Sequence, residues 1–93
     1  STAGFNAYKD WSSYCASKAG VITLSKSLAA DGFNSVCLCP GAIDTKFRDK
    51  FDIANNNVMT CEHLSEFVLQ VLNGDFDSGD VLFIRANEFV LNP

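Results

Sequence analysis

Positive charge is scarce in this sequence. Seven Lys and Arg stand against eleven Asp and Glu, giving a net charge of −4 with the single histidine neutral. No basic stripe exists to neutralise phosphates, so a nucleic-acid partner is not expected. Long apolar runs are missing too. None approaches the roughly 18 residues that would suggest a spanning helix, so no membrane partner is expected. Ser1-Thr2-Ala3-Gly4 has no charged stretch followed by an apolar core and does not read as a secretory signal. Internal repeats and low-complexity segments are absent. Histidine occurs once, as His63 beside Cys61, which is not zinc-ligand spacing, so no metal site is expected.

What is present is a globular composition. Of 93 residues, 47% are apolar and 19% charged, which suits one small domain or a piece of a larger one. The four cysteines are Cys15, Cys37, Cys39 and Cys61. An even count suggests a disulfide scaffold only with secretory context. Cys37 and Cys39 lie in the apolar run Ser35 to Cys39, which as a strand puts both sulfurs on one face. The reading is reduced, buried thiols acting as small apolar residues, with a cytoplasmic location.

Periodicity divides the chain into elements. Ser1 to Trp11 shows no sustained period and reads as a loop. Ser12 or Ser13 can cap a helix running from Tyr14 to Ala30, with Ala16, Ala19, Val21, Leu24 and Leu28 at helical spacing and Gly32 as the stop. Its Ala- and Gly-rich face suits close approach by a neighbour. Ser35 to Cys39 reads as a strand buried on both faces, ended by Pro40-Gly41. Ala42 to Met59 is polar and irregular. Thr60 can cap a second helix whose stripe is Leu64, Phe67, Val68, Val71 and Leu72, with Gly74 after it. Asp75 to Asp80 is a turn cluster, and Val81 to Ile84 a second strand. Phe89-Val90-Leu91 forms a short last strand, folding back through Ala86 to Glu88. The order implies an α/β fold: the C-terminal part of a doubly wound parallel sheet, Rossmann-like, with two helices and two to three strands. Two buried strands leave unpaired edges, so the rest of the sheet must come from a longer chain, another chain or an unusual dimer.

Tyr14 and Lys18 are four apart at a helix start, which puts a phenol and an ammonium on one face. A neighbouring cation favours phenolate and suits the phenol to proton exchange. The segment Tyr14-Cys15-Ala16-Ser17-Lys18 resembles the Y-x-A-S-K pattern of the short-chain dehydrogenase/reductase family. Three further features agree. Ser1 lies thirteen residues before Tyr14 in Ser1-Thr2-Ala3-Gly4, Pro40-Gly41-Ala42-Ile43-Asp44-Thr45 fits P-G-x-x-x-T, and Ser78-Gly79-Asp80-Val81-Leu82 fits the entry to the last strand.

The resemblance implies an NAD(P)-dependent oxidoreductase interconverting a carbonyl and an alcohol, with NAD or NADP as cofactor. It implies catalytic roles for Ser1, Tyr14 and Lys18. Tyr14 would exchange the proton, Lys18 would hold the nicotinamide ribose, and Ser1 would position the substrate oxygen. The backbone of Pro40, Gly41 and Ile43 and the Thr45 hydroxyl would line the nicotinamide pocket. Lys46 to Met59 would cover the substrate. A homo-dimer or homo-tetramer is the expected assembly. The family's Gly-rich turn is not among residues 1–93, so the chain corresponds to the C-terminal part of a single dehydrogenase domain whose cofactor-binding N-terminal half is absent. Val36 stands where the family has Asn, and Ile84-Arg85-Ala86-Asn87 where its last strand runs into Asp-Gly-Gly.

Trp11 either walls the substrate pocket or covers the helix start. Arg85 either binds a phosphate or carboxylate or is a solvated charge. Two rival functions stand beside the enzyme. One is a non-catalytic interaction module built on the same fold remnant. The other is a sugar-nucleotide epimerase of the extended branch of the superfamily, against which the thirteen-residue Ser–Tyr spacing argues.

Overall fold

Two short apolar runs form the centre of the fold. Cys37–Pro40 (β1) and Val81–Arg85 (β2) lie side by side and parallel, Cys37 opposite Val81 and Pro40 opposite Ile84. Glu88–Leu91 (β3) returns antiparallel along β2, with Arg85 opposite Glu88 and Leu82 opposite Leu91. The helices are Ser12–Ala30 (α1) and Cys61–Leu72 (α2). These elements come from a computed structural model that describes residues 1–43 and 58–93. The sheet is mixed, in the order β1-β2-β3. A tight turn suffices for the β2–β3 hairpin, whereas the parallel β1–β2 pair needs the long crossover that contains α2.

Strand alternation sorts the core into two faces. Cys37, Cys39 and Val81 meet Ile22 of α1 on one side. Leu82 and Ile84 join Met59 on the other, with Leu64, Phe67 and Val71 of α2 packed against them. The two helices thus cover opposite faces of the sheet, an α/β layering.

The expected apolar rows are only partly turned inward. In α2, Val68 and Leu72 of the predicted stripe are exposed, because the helix seats on the sheet through the 64–67–71 row. In α1 the sheet side carries Ile22, the Ser25 hydroxyl bonded to that of Ser35 at 2.8 Å, and Ala29 beside Gly79. Val21 and Leu24, the latter 59% exposed, point outward, and a Cβ on Gly20 would meet nothing. One large residue, Ile22, therefore anchors α1 on the sheet, with the smaller Ser25 and Ala29 on the same side.

Local signals fix the helix ends. Thr60 Oγ1 accepts the His63 N–H at 3.1 Å, as expected of an N-cap. After α1, Gly32 adopts a φ of 95°, and the Phe33 N–H reaches back to the Leu28 carbonyl at 3.0 Å. The start of α1 differs from expectation. Trp11 occupies the cap position without a side-chain bond, and Ser12 and Ser13 lie inside the first turn. The Trp11 carbonyl accepts the Cys15 N–H at 2.8 Å, and its ring meets Tyr14 edge-on at 5.3 Å, so ring packing sets the entry angle. The segment expected as a loop contains a 3₁₀ turn, Thr2–Gly4.

Cys37 and Cys39 are buried free thiols on one face of β1, their sulfurs 3.7 Å apart. Burial, then the neighbouring Cys37, pushes the Cys39 thiol up to about 11.

Asn92 fastens the free end of the hairpin. Its Oδ1 accepts the Val81 N–H at 2.7 Å, and its Nδ2 donates to Asp80 Oδ1 at 3.0 Å. Asp80 also accepts the Asp77 N–H at 2.9 Å. The Asn92 amide first, then the Asp77 N–H, holds the Asp80 carboxyl below its ordinary value of 3.8. A depressed carboxyl contributes stability above its unfolded value and loses it as pH falls through the folded one. The hairpin is therefore expected to loosen only below about pH 4, seen as faster amide exchange at Val81. Asn92→Ala strips the buried Val81 N–H of this partner and is expected to cost about 1–3 kcal/mol in urea denaturation.

Candidate active site

The 3₁₀ turn and the first two turns of α1 bring the predicted residues together. Ser1 caps the 3₁₀ turn, its Oγ accepting the Ala3 N–H at 3.1 Å. The Tyr14 hydroxyl donates to the same Oγ at 3.4 Å. A serine hydroxyl has two acceptor lone pairs and one proton. Both acceptor positions are taken, and the proton has no acceptor among the described residues, so it is left for an incoming oxygen. Tyr14 is 41% exposed, so the residue is open to solvent at this site.

Lys18, one helical turn on, sets its ammonium 5.4 Å from the centroid of the Tyr14 ring. That is within range of a cation–π contact, which keeps a positive charge beside the phenol. Trp11 packs edge-on against Tyr14 and against Tyr8 at 6.3 Å. Its exposed indole covers the start of α1 and supports the Tyr14 ring, the second of the two expected readings.

The turn is held against α1 by a close approach at Gly4. A Cβ there would run into Ile22 Cδ1 and sit 3.0 Å from the Lys18 carbonyl oxygen. Asn6 adds a bond from its amide to the Thr2 carbonyl at 3.0 Å. Gly4→Ala is expected to push the turn off α1, costing about 1–3 kcal/mol in thermal denaturation. It should also lower kcat, because Ser1 moves with the turn. A Gly4→Ala protein with unchanged stability and kinetics would remove this contact from the account. Sequence alone gave no sign of Gly4's role, since the contact joins a turn to a helix face far along the chain.

Pro40 and Gly41 sit at the carboxyl end of β1, with the Gly41 N–H donating to the Ile84 carbonyl at 2.8 Å. Gly41 lies beside the 3₁₀ turn: a Cβ on it would be 3.9 Å from Thr2 Cγ2. Ile43 forms a parallel bridge with Met59, and its side chain packs into the core, which leaves its backbone for any role in a pocket. Thr45, and Lys46 to Asn57 of the expected covering segment, lie outside the described residues.

The family model described as short chain dehydrogenase matches residues 1–56. The chain belongs to this family. The matched stretch holds Ser1, Tyr14, Lys18, Pro40, Gly41, Ile43 and Thr45. Short-chain dehydrogenases are, as a family, NAD(P)-dependent oxidoreductases, and an α/β sheet with helices on both faces agrees with membership. No solved structure matches the chain. Among the described residues, no helix of this short-chain dehydrogenase is long and apolar enough to cross a membrane.

Proposed function

We propose that this chain carries the proton-transfer residues of an NAD(P)-dependent oxidoreductase that interconverts a carbonyl and an alcohol. The observation that carries this reading is the meeting of the Tyr14 hydroxyl and Ser1 Oγ at 3.4 Å, with the Lys18 ammonium over the Tyr14 ring. In the reduction direction, the substrate oxygen accepts a hydrogen bond from Ser1 and receives its proton from Tyr14. In the oxidation direction, Tyr14 takes the alcohol proton. Lys18 keeps an ammonium over the Tyr14 ring, next to the group that exchanges the proton.

The residues present fit the nicotinamide end of NAD or NADP. Lys18 offers ammonium donors beside Tyr14, and Gly41, without a side chain, is half-buried at the carboxyl end of β1, where ligands of open α/β sheets bind. Tyr14, Lys18, Pro40, Gly41 and Ile43 would hold that end of the cofactor, with Thr45 beyond them in sequence. The cofactor, when bound, supplies or accepts the hydride. On this reading β1 and β2 belong to a doubly wound parallel sheet, completed by strands that residues 1–93 do not supply.

Assembly as a homo-dimer or homo-tetramer belongs to the same proposal, supported by the outward row Val21, Leu24 and Leu28 on α1. A cytoplasmic location is supported by the reduced, buried pair Cys37 and Cys39. The test of the function is turnover and cofactor binding in Tyr14→Phe, measured on the whole protein.

A further inference from the structure

Arg85 has no part in the reaction as described. It ends β2 and is half-buried at the carboxyl edge of the sheet. Its stem reaches toward Gly41 at the same end of β1. A Cβ on Gly41 would lie 3.4 Å from Arg85 Cγ and 3.9 Å from Thr2 Cγ2, so Arg85 and the residue after Ser1 flank one point.

A second set of contacts links the same two regions. The Arg85 guanidinium lies over the Phe83 ring, 5.1 Å from its centroid. Phe83 in turn meets Phe5 edge-on at 5.8 Å, and Phe5 closes the 3₁₀ turn that Ser1 opens. The cation is thus held on an aromatic platform tied to the catalytic turn, which reduces the freedom it must lose on binding.

Among the described residues, no carboxylate pairs with this guanidinium. Glu88 stands opposite Arg85 in the hairpin register, yet the two form no ion pair. An acidic chain therefore leaves a half-buried guanidinium without the carboxylate nearest to hand. Its planar fork of N–H donors matches a carboxylate or a phosphate in two-point contact.

We propose that Arg85 is a specificity-determining residue that binds an anionic oxygen group, carboxylate or phosphate, carried by the substrate away from the carbon that faces Tyr14. The inference rests on the oxidoreductase reading above. The substrates would be oxo acids, hydroxy acids or phosphorylated ketones rather than neutral carbonyl compounds.

The test compares charged and neutral probes on the whole protein with NADH and NADPH. The pairs are 3-oxobutanoate and 4-oxopentanoate against their methyl esters, and dihydroxyacetone phosphate against dihydroxyacetone. The wild-type protein is expected to favour the charged member of at least one pair by about tenfold or more in kcat/KM. Arg85→Gln is expected to raise KM for that charged probe roughly 10- to 100-fold, with kcat and the neutral probe changed less than about twofold. Arg85→Lys should recover part of the loss. An unchanged charged-to-neutral ratio overturns the proposal, as does an equal fall for both members, which marks a structural role. A loss confined to NADH or NADPH affinity also overturns it, because the anion is then the cofactor's. If no probe turns over in the wild-type protein, the oxidoreductase reading fails separately. Calorimetric titration of the charged probes then decides: binding that Arg85→Gln abolishes upholds the anion site, and no binding overturns it.

Discussion

Tyr14→Phe in the whole protein is expected to lower kcat by roughly 10²- to 10⁴-fold, while the affinity for NADH or NADPH stays within about twofold. The substitution removes one oxygen and little else. A phenyl ring keeps the edge-on contact with Trp11 and the face that Lys18 overlies. The lost hydrogen bond, to Ser1 Oγ at 3.4 Å, is long and solvent-exposed, so folding stability should move by less than about 0.5 kcal/mol. Chemistry and structure are therefore separable in this one variant. Steady-state kinetics with fluorescence titration of the reduced cofactor measures both. A Tyr14→Phe protein of near-normal kcat would end the acid–base assignment of Tyr14.

The largest stability loss is expected for Leu82→Ala, about 2–5 kcal/mol in urea denaturation. Leu82 is 0% exposed, the second residue of β2. Ile84 and Met59 share its cluster, and Leu64, Phe67 and Val71 of α2 pack on it. Truncation leaves a cavity between sheet and helix that neither can readily fill. Since native domains are typically stable by only about 5–15 kcal/mol, such a loss is a large part of the whole. Leu72→Ala is the control. The same deletion at a side chain 76% exposed should cost less than about 0.5 kcal/mol. Equal losses at the two positions would mean that a surface not described by these elements covers Leu72.

The two leucines also show how far the sequence could be read. Leu72 and Leu64 belong to one helical stripe, and spacing alone gave them equal standing as core residues. Burial depends on which row meets the sheet, and that is a property of the packed pair. The same holds in α1, where Val21 and Leu24 are the obvious apolar residues and Ile22 is the buried one. By contrast, the Thr60 cap and the stops at Gly32 and Gly74 were legible, because each depends on a few adjacent residues. The meeting of Ser1, Tyr14 and Lys18 was legible in part. The four-residue spacing of Tyr14 and Lys18 is a helical fact, whereas the approach of Ser1 depends on a 3₁₀ turn too short to show a period. The contact of Gly4 with Ile22 and of Phe5 with Phe83 had no local signal at all.

The thiol pair of β1 gives the protein a built-in clock for opening of the sheet. Cys39 lies beneath α1, and with its thiol held near 11 it is almost wholly protonated at neutral pH. Thiolate is the form that alkylating reagents attack, so native Cys39 is doubly shielded, by position and by protonation. When α1 leaves the sheet, Cys39 becomes accessible and loses the burial that is the larger cause of its raised thiol, so its reactivity rises. The rate at which Cys39 takes up a maleimide then counts excursions of α1 from the sheet, with no mutation or added probe in the core. Because α1 also carries Tyr14 and Lys18, the same count reports how often that pair leaves the sheet together.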